Sequence, residues 1–319
     1  MPVLSKLSGF VAALSVCVFV SASAGAAELS VATFNVWGAG SNEGKSIAET
    51  AAVLKAMGAD VLALQEMRAE SDACNAEACD ASGASVAADL GEALGYHVFE
   101  QSNVNDALWA NSILSRHPIV GALPQQLGAV INVEGVEVAI FNVHLNDYPY
   151  QPYQLAGIEY GSAPFLSTAK AAVESAEAAR GEIVDSLLSV AKDVGDMLTV
   201  ICGDFNEPSH LDWTENAARD GRIPFAVSFP TSNKFENAGF RDAYRTIWTD
   251  EVSHPGFTWT PTKPLNDESE RHDRIDFVYV KGHKEIISAD IAGESERNAD
   301  IVVVPWPSDH RAVLVKIRY

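Results

Sequence analysis

The stretch Leu198-Thr-Val-Ile-Cys-Gly-Asp-Phe-Asn206 joins an apolar run of strand length to a polar end. The run predicts a buried strand, because its apolar and β-branched side chains suit the core of a sheet. Asp204 and Asn206 place a carboxylate and an amide just beyond that strand. Cys202, inside the run, is predicted to be a buried, inert thiol, with a catalytic nucleophile as the weaker alternative.

Similar apolar runs occur along the whole chain and alternate with amphipathic segments. Two of them flank Glu134-Gly135, which is a hairpin signal. Strands are predicted at residues 28–35, 60–64, 96–100, 129–144, 198–202, 275–280, 301–304 and 312–317. Helices are predicted at residues 46–57, 86–94 and 165–194, the last with a break at Gly181. This mixture predicts a mixed α/β sandwich rather than a purely parallel sheet.

The composition is that of a folded, acidic protein. The chain has 319 residues, of which 47% are hydrophobic and 20% are charged, so it can bury a full core. Its 22 Lys and Arg against 43 Asp and Glu give a net charge of −21. This balance argues against a broad basic surface for long nucleic acid, because phosphate neutralisation supplies most of that affinity. A local basic groove is still compatible with it.

The amino terminus has the pattern of a secretory signal peptide. Lys6 precedes an apolar run at residues 7–20, which is followed by the small residues 21–27. We therefore predict that residues 1–27 are a cleaved signal peptide, that residues 28–319 form one domain, and that the mature protein is secreted or periplasmic. A retained anchor is less favoured, because the run is shorter than the about 20 apolar residues that a span needs.

Two cysteines lie in a polar loop of small residues. Cys74 and Cys79 would meet an oxidising compartment after export, so a disulfide between them is expected. A zinc site is the weaker alternative, because the loop lacks a second pair of ligands nearby.

Polar side chains stand at or near the ends of six predicted segments. They are Asn35, Glu66, His144, Asp204 with Asn206, Asp276, and Asp309 with His310. One such residue is usually a cap or a turn former. Six segments that end in this way predict that the polar side chains converge on one site, if the strand ends lie together. Carboxylates that converge in this way need a cation among them or shifted pKa values. Oxygen ligands without a Cys/His quartet favour Mg²⁺, Mn²⁺ or Ca²⁺ over zinc.

Seven short motifs follow one another along the chain: Thr33-Phe-Asn-Val-Trp37, Gln65-Glu66, Ile113-Leu-Ser-Arg-His-Pro-Ile119, Asn142-Val-His-Leu145, Gly203-Asp-Phe-Asn206, Arg274-Ile-Asp-Phe277 and Ser308-Asp-His310. In this set the sequence resembles the endonuclease/exonuclease/phosphatase superfamily, which includes DNase I-like nucleases, abasic-site endonucleases, inositol-polyphosphate phosphatases and neutral sphingomyelinases. The resemblance extends over about residues 29–319. It implies a DNase I-like four-layered α/β sandwich with two mixed β-sheets packed face to face and helices outside.

The resemblance also implies roles for the polar residues. Glu66 would be the principal metal ligand, Asn35 would help to hold metal or phosphate beside it, and Asp309 would support the same ion directly or through water. Asp204 would orient or deprotonate the attacking water, and Asn206 would place that water. Such roles suit phosphoester hydrolysis, which needs neutralised phosphoryl oxygens and an aligned nucleophile.

The two histidines complete this implied site. His144 and His310 would donate hydrogen bonds to the charge that builds on phosphorus, and Asp276 would hold His310 in the required tautomer. Trp37 stands where abasic-site endonucleases carry an acidic residue, which argues against the metal arrangement of that subfamily.

The expected protein is an exported, monomeric, divalent-metal-dependent phosphodiesterase that uses direct attack of water. Its substrate would be nucleic acid or, for a sphingomyelinase-type enzyme, a phospholipid head group. A catalytically inactive binding module on the same fold is the third hypothesis. The aromatic segment at residues 148–160 fits either a membrane insertion or a stacking wall for a base or sugar. Scattered cations are candidates for phosphate contacts: Arg116, Arg241, Arg245, Lys263, Arg271 and Arg274.

Overall fold

The computed structural model describes residues 27–68, 86–101 and 110–319. The expected disulfide between Cys74 and Cys79 and all but the last residue of the expected signal peptide lie outside these ranges, so both stay predictions. Cys202 is a buried free thiol whose pKa is raised by burial, as the sequence predicts.

Strands in the described ranges form two mixed sheets. They are β1 (Glu28–Asn35), β2 (Val61–Gln65), β3 (His97–Glu100), β4 (Ser112–Ser115), β5 (Ile119–Ala122), β6 (Gly128–Val133), β7 (Val136–His144), β8 (Leu198–Asp204), β9 (Arg241–Asp242), β10 (Asp276–Lys281), β11 (Glu285–Gly293), β12 (Ile301–Val302) and β13 (Ala312–Arg318). The first sheet has the order β12-β11-β13-β1-β2-β4-β3, and the second has the order β5-β6-β7-β8-β10-β9. The pairs β1–β2, β7–β8 and β11–β12 are parallel, and the other pairs are antiparallel.

Helices cover the outer faces of both sheets. They are α1 (Ile47–Met57), α2 (Val86–Leu94), α3 (Gln151–Ala156), α4 (Ala169–Asp193), α5 (Glu215–Arg219), α6 (Pro230–Asn237) and α7 (Ala243–Ile247). Leu54 of α1 and Leu90 of α2 pack with Phe34 on the outside of the first sheet. Val184 of α4 packs with Phe141 on the outside of the second sheet.

The alternation of side chains along each strand builds the central core. Val31 and Ile113 of the first sheet point inward to meet Ile140 and Val200 of the second, and all four are fully or almost fully buried. Each such aliphatic side chain contributes about 1.5–3 kcal/mol by leaving water. Two sheets face to face with helices outside confirm the predicted four-layered sandwich.

Most predicted elements are present, with one error in a helix. The hairpin is confirmed, because Val133 pairs with Val136 across Glu134-Gly135. The predicted break at Gly181 is wrong, since α4 runs without interruption from Ala169 to Asp193. One glycine costs a helix only about 1 kcal/mol relative to alanine, and the buried stripe of α4 outweighs that cost.

We expect Gly128→Ala to destabilise the second sheet. A Cβ at Gly128 would lie 2.0 Å from the backbone oxygen of Ile140, so the strands must move apart. Overpacking of this kind costs at least about 1–3 kcal/mol. The control is Gly121→Ala on the neighbouring strand β5, where a Cβ meets nothing within 4 Å. Urea unfolding of both variants checks this, and equal stabilities would contradict it.

Candidate active site

The register of the strands brings polar residues from both sheets to one rim. In the second sheet, His144 at the end of β7 pairs with Asp204 at the end of β8, and Asp276 at the start of β10 pairs with the same Asp204. In the first sheet, Asn35 ends β1 beside the end of β2, where Glu66 follows. The parallel pairs β1–β2 and β7–β8 and the antiparallel pair β8–β10 therefore bring these side chains to one rim.

A buried polar link joins the two sheets beneath this rim. The Gln65 amide donates to the Oδ1 of Asn142 at 2.6 Å. The Asn142 amide in turn donates to the carbonyl oxygens of Leu64 and Ser112 at 3.0 Å each. Gln65 and Asn142 are fully buried, so breaking one of these bonds would leave a buried polar group unpaired, at the full cost of its desolvation. The link fixes the spacing between the two halves of the site.

Asp204 lies at the centre of the site. Its Oδ2 accepts a hydrogen bond from the Asn35 amide at 3.1 Å and lies 3.6 Å from the Nε2 atoms of both His144 and His310. The Asn35 amide also donates to the Glu66 carboxylate at 2.8 Å. Burial raises the pKa of Asp204, which the two histidines oppose.

His310 is held between a carboxylate and a tryptophan. Its Nδ1 lies 2.9 Å from the Oδ2 of Asp276, which turns Nε2 towards Asp204. The ring centroid of Trp259 lies 5.0 Å from that of His310. Burial lowers the pKa of His310, but the charges of Asp276, Asp204 and Asp309 outweigh this effect and hold the pKa well above its ordinary value. His310 is therefore suited to stay protonated and to donate a proton or hydrogen bond from Nε2.

The two remaining predicted residues lie at the edges of this cluster. The Asn206 backbone donates to Asp204 at 2.9 Å, but its side-chain amide donates to the Leu145 carbonyl at 3.0 Å. Asn206 is thus tied to the loop after β7. Burial raises the pKa of Asp309 to about 7, and the charges of Glu66 and Asp204 act in the same direction. The side chain of Asp309 therefore lies within electrostatic reach of the centre.

The donor set fits a hard divalent cation. One ligand atom each from Glu66, His144 and Asp204 lies within 4.8 Å of the others, and Asp204, Asp276 and His310 form a second group of the same kind. The Oδ1 of Asp276 is buried without a hydrogen-bond partner in the described part of the chain. Carboxylate oxygens are the ligands that Mg²⁺ and Mn²⁺ prefer. Glu66 with Asn35, and Asp309 nearby, would hold the ion.

Comparison with known proteins assigns the chain to a family. The model of the endonuclease/exonuclease/phosphatase family matches residues 32–310. The chain belongs to this family. A Caenorhabditis elegans protein described as uncharacterized protein F14F9.5 is 26% identical, with 88% of each chain covered.

Solved structures share the endonuclease/exonuclease/phosphatase fold. A family member from Beutenbergia cavernae DSM 12333 has a TM-score of 0.53 and 20% identity, and the match covers 91% of this chain and 71% of that one. The 3' phosphatase NExo from Neisseria, bound to product DNA hairpin, has a TM-score of 0.52 and 19% identity over 91% of this chain and 100% of that one. Both likenesses concern the fold.

Sequence patterns missed several residues that shape this endonuclease/exonuclease/phosphatase site. Thr258 accepts hydrogen bonds from the backbone of Ile275 and Asp276 at 3.1 Å each, and so fixes the start of β10. Ser308 donates to the Asn35 carbonyl at 2.7 Å and accepts from the His310 backbone at 3.0 Å. Ser308 lies in the motif Ser308-Asp-His310, but no local pattern marks Thr258, because its partners are distant in sequence.

Two predicted phosphate contacts are wrong. Arg274 is 1% exposed in its side chain and pairs with Asp242 at 2.7 Å and with Asp212 at 2.8 Å. Arg245 is also buried and pairs with Asp212 at 2.5 Å. Both guanidinium groups are satisfied inside the fold and serve its packing.

No helix in the described ranges has the length and apolar character of a membrane span.

Proposed function

We propose that this family member is an exported, divalent-metal-dependent phosphodiesterase of nuclease type. The observation that carries the proposal is the convergence on Asp204, whose carboxylate is approached by Asn35, His144 and His310 from three other strands or loops. Burying a carboxylate with two imidazoles and an amide around it, and Asp276 behind one imidazole, lowers the stability of the fold. The arrangement therefore indicates a function rather than a structural role.

Each group has a defined task in attack by water on a phosphodiester. Asp204 aligns a water and accepts its proton, because its Oδ2 faces the rim between both histidines. His144 and His310 donate hydrogen bonds from Nε2 to the phosphoryl oxygens as negative charge grows there. Asp276 keeps the Nε2 of His310 protonated by binding Nδ1. Asn35 holds the carboxylates of Asp204 and Glu66 in register.

Glu66, with Asn35 and Asp309 beside it, would hold the divalent ion. A bound Mg²⁺ or Mn²⁺ would neutralise charge on the phosphoryl oxygens and on the leaving oxygen. It would also relieve the repulsion between Glu66, Asp204 and Asp309, which contributes to the raised pKa of Asp309.

Nucleic acid fragments are the favoured substrate class. The neighbours in structure include NExo bound to product DNA hairpin. The net charge of −21 favours short or single-stranded substrates over long duplexes. A phospholipid head group is the second candidate, because Tyr160 and Phe165 on the connection after β7 are 37% and 56% exposed and could contact a lipid surface. The signal-like residues 1–27 support release to the periplasm or the medium.

A panel of substrates tests this proposal. The mature protein is incubated with plasmid DNA, single-stranded RNA, sphingomyelin or bis(p-nitrophenyl) phosphate, with Mg²⁺ or Mn²⁺ and with or without EDTA. We expect hydrolysis of nucleic acid and of the small diester that EDTA abolishes and added Mg²⁺ restores. Cleavage of sphingomyelin alone would favour the phospholipase, and binding without any turnover would favour the inactive module.

We expect Asp276→Asn to lower kcat about 10–100-fold, the usual effect of removing a partner that orients a functional histidine. The asparagine keeps the shape of the side chain but loses the charge that holds the pKa of His310 high. Initial rates with bis(p-nitrophenyl) phosphate measure the loss. Asp185→Asn, at an exposed carboxylate paired with Lys234, is the matched control. An unchanged kcat in Asp276→Asn would remove this residue from the proposed site.

A further inference from the structure

A row of aromatic side chains begins beside His310 and runs away from the site. We call Trp259, Tyr153, Tyr160 and Tyr148 the aromatic wall. The ring centroid of Trp259 lies 5.0 Å from that of His310, and the Trp259 indole donates to the Tyr153 hydroxyl at 3.3 Å. The ring centroids of Tyr153 and Tyr160 are 5.9 Å apart, and those of Tyr160 and Tyr148 are 5.6 Å apart. The four side chains therefore form a row that begins beside His310.

The hydroxyl groups of the aromatic wall are occupied. Tyr153 donates to the Glu270 carboxylate at 2.5 Å, and Tyr160 donates to Asp147. Burial, these bonds and the nearby carboxylates raise the pKa of both phenols well above the ordinary value, and Glu66 contributes at Tyr160. Because these hydroxyl groups are already hydrogen-bonded, the aromatic wall can contact a ligand mainly through the faces and edges of its rings.

The outer edge of the aromatic wall is negatively charged. Asp147 is exposed, and Glu270 is partly exposed. The guanidinium of Arg271, next to Glu270, donates to the Arg222 carbonyl. Lys263 lies 4.0 Å from Asp267, which balances its charge. A second phosphate on a ligand would meet a carboxylate here and would be repelled.

We propose that the aromatic wall binds one nucleobase beside the scissile diester, and that Asp147 selects against a further phosphate on that side. The inference rests on the proposed phosphodiesterase function and names its substrate class: dinucleotides and strand ends without a terminal phosphate. Bases stack on aromatic rings whatever their identity, so the wall sets position rather than sequence. Lipid chains are disfavoured, because their insertion would bury the charges of Asp147 and Glu270. A quaternary ammonium group is disfavoured, since such sites enclose the cation with rings, whereas these rings form a row.

Three esters with one leaving group test the inference. They are thymidine 5′-(p-nitrophenyl phosphate), its 3′-phosphorylated form and methyl p-nitrophenyl phosphate. KM and kcat are measured for the wild type, Tyr160→Leu and Asp147→Asn. Phe165→Leu is the matched control, because Phe165 is an exposed aromatic on the same connection but outside the aromatic wall. p-Nitrophenyl phosphorylcholine is the fourth substrate and represents a lipid head group.

The expected results are changes in preference. Tyr160→Leu lowers the kcat/KM preference for the thymidine ester over the methyl ester about tenfold, through KM. Asp147→Asn lowers the discrimination against the 3′-phosphorylated ester several-fold, and Phe165→Leu changes neither ratio. Equal losses on the thymidine and methyl esters, or a loss confined to the choline ester, would overturn the inference but leave the phosphodiesterase function standing. Failure of the wild type on all four esters would instead contradict the proposed function, and the inference with it.

Discussion

Asp204→Asn is expected to reduce kcat for a phosphodiester about 10³-fold while the protein stays folded. Asparagine has the same shape but cannot accept the proton of the attacking water, and one preorganised group of this kind is worth about 10²–10³ in kcat. Asp204 is also the side chain on which Asn35, His144 and His310 converge, so its change disturbs several contacts at once. Rates at saturating bis(p-nitrophenyl) phosphate measure the loss.

The fold should tolerate this change well. Burial raises the pKa of Asp204, so removing its charge relieves a desolvation cost, and the melting temperature should not fall by more than about 4 °C. Asp290→Asn is the control, because Asp290 is another carboxyl whose pKa is raised by burial, on β11 and outside the proposed site. More than a tenth of the wild-type kcat in folded Asp204→Asn would exclude Asp204 as the proton acceptor.

Arg274→Met is expected to destabilise the protein by about 3–5 kcal/mol, the usual result of removing one partner from a buried ion pair. The guanidinium donates to both oxygens of Asp242, at 3.0 and 2.7 Å, and to Asp212 at 3.1 Å. It also lies over the ring of Phe277, 4.5 Å from its centroid. Methionine fills the volume but leaves the buried Asp242 carboxylate without its cation, whereas Asp212 keeps its pair with Arg245. Denaturant unfolding gives the change in the free energy of unfolding.

Two controls separate this effect from general damage. Lys170→Met removes an exposed ion pair with Glu174 and should change stability by less than about 0.5 kcal/mol. Adding Asp242→Asn to Arg274→Met should recover part of the loss, because one uncompensated charge disappears. A stable Arg274→Met with a raised KM would instead restore Arg274 as a phosphate contact, which its burial argues against.

The rim of the site was predictable because its signals are local. His144, Asp204 and Asp276 each adjoin an apolar run, and the alternation of strands sets where such runs end. The convergence followed from the expectation that neighbouring strands share an edge. The strand register brings these residues together, because His144 and Asp276 both pair with Asp204.

The supports of the site were not predictable, because their partners are distant. Trp259 meets His310, and Thr258 meets Asp276, across a long connection without apolar periodicity. Elsewhere in the fold, the sequence contained one signal of a buried ion pair, at Arg180. It falls on the buried stripe of α4 between Ala176 and Val184, where a charge requires a partner, and it lies 3.6 Å from the buried Glu207.

The cations also show the limit of a sequence argument. Arg274 begins one of the motifs and Arg245 lies in none of them, yet both fit a phosphate contact by chemistry alone. Their partner Asp212 is 33 and 62 residues away in sequence. Only tertiary packing distinguishes a buried, satisfied guanidinium from one that awaits a substrate, because both carry the same charge and geometry.

Crystals of the wild-type protein grown with Mn²⁺ and a nonhydrolysable nucleoside diester test the whole account most directly. We expect anomalous scattering from Mn²⁺ at the Glu66 carboxylate, with phosphoryl oxygens of the diester within hydrogen-bond reach of the Nε2 atoms of His144 and His310. An ion bound away from Glu66, or a diester that avoids both histidines, would contradict a phosphodiesterase centre at this rim.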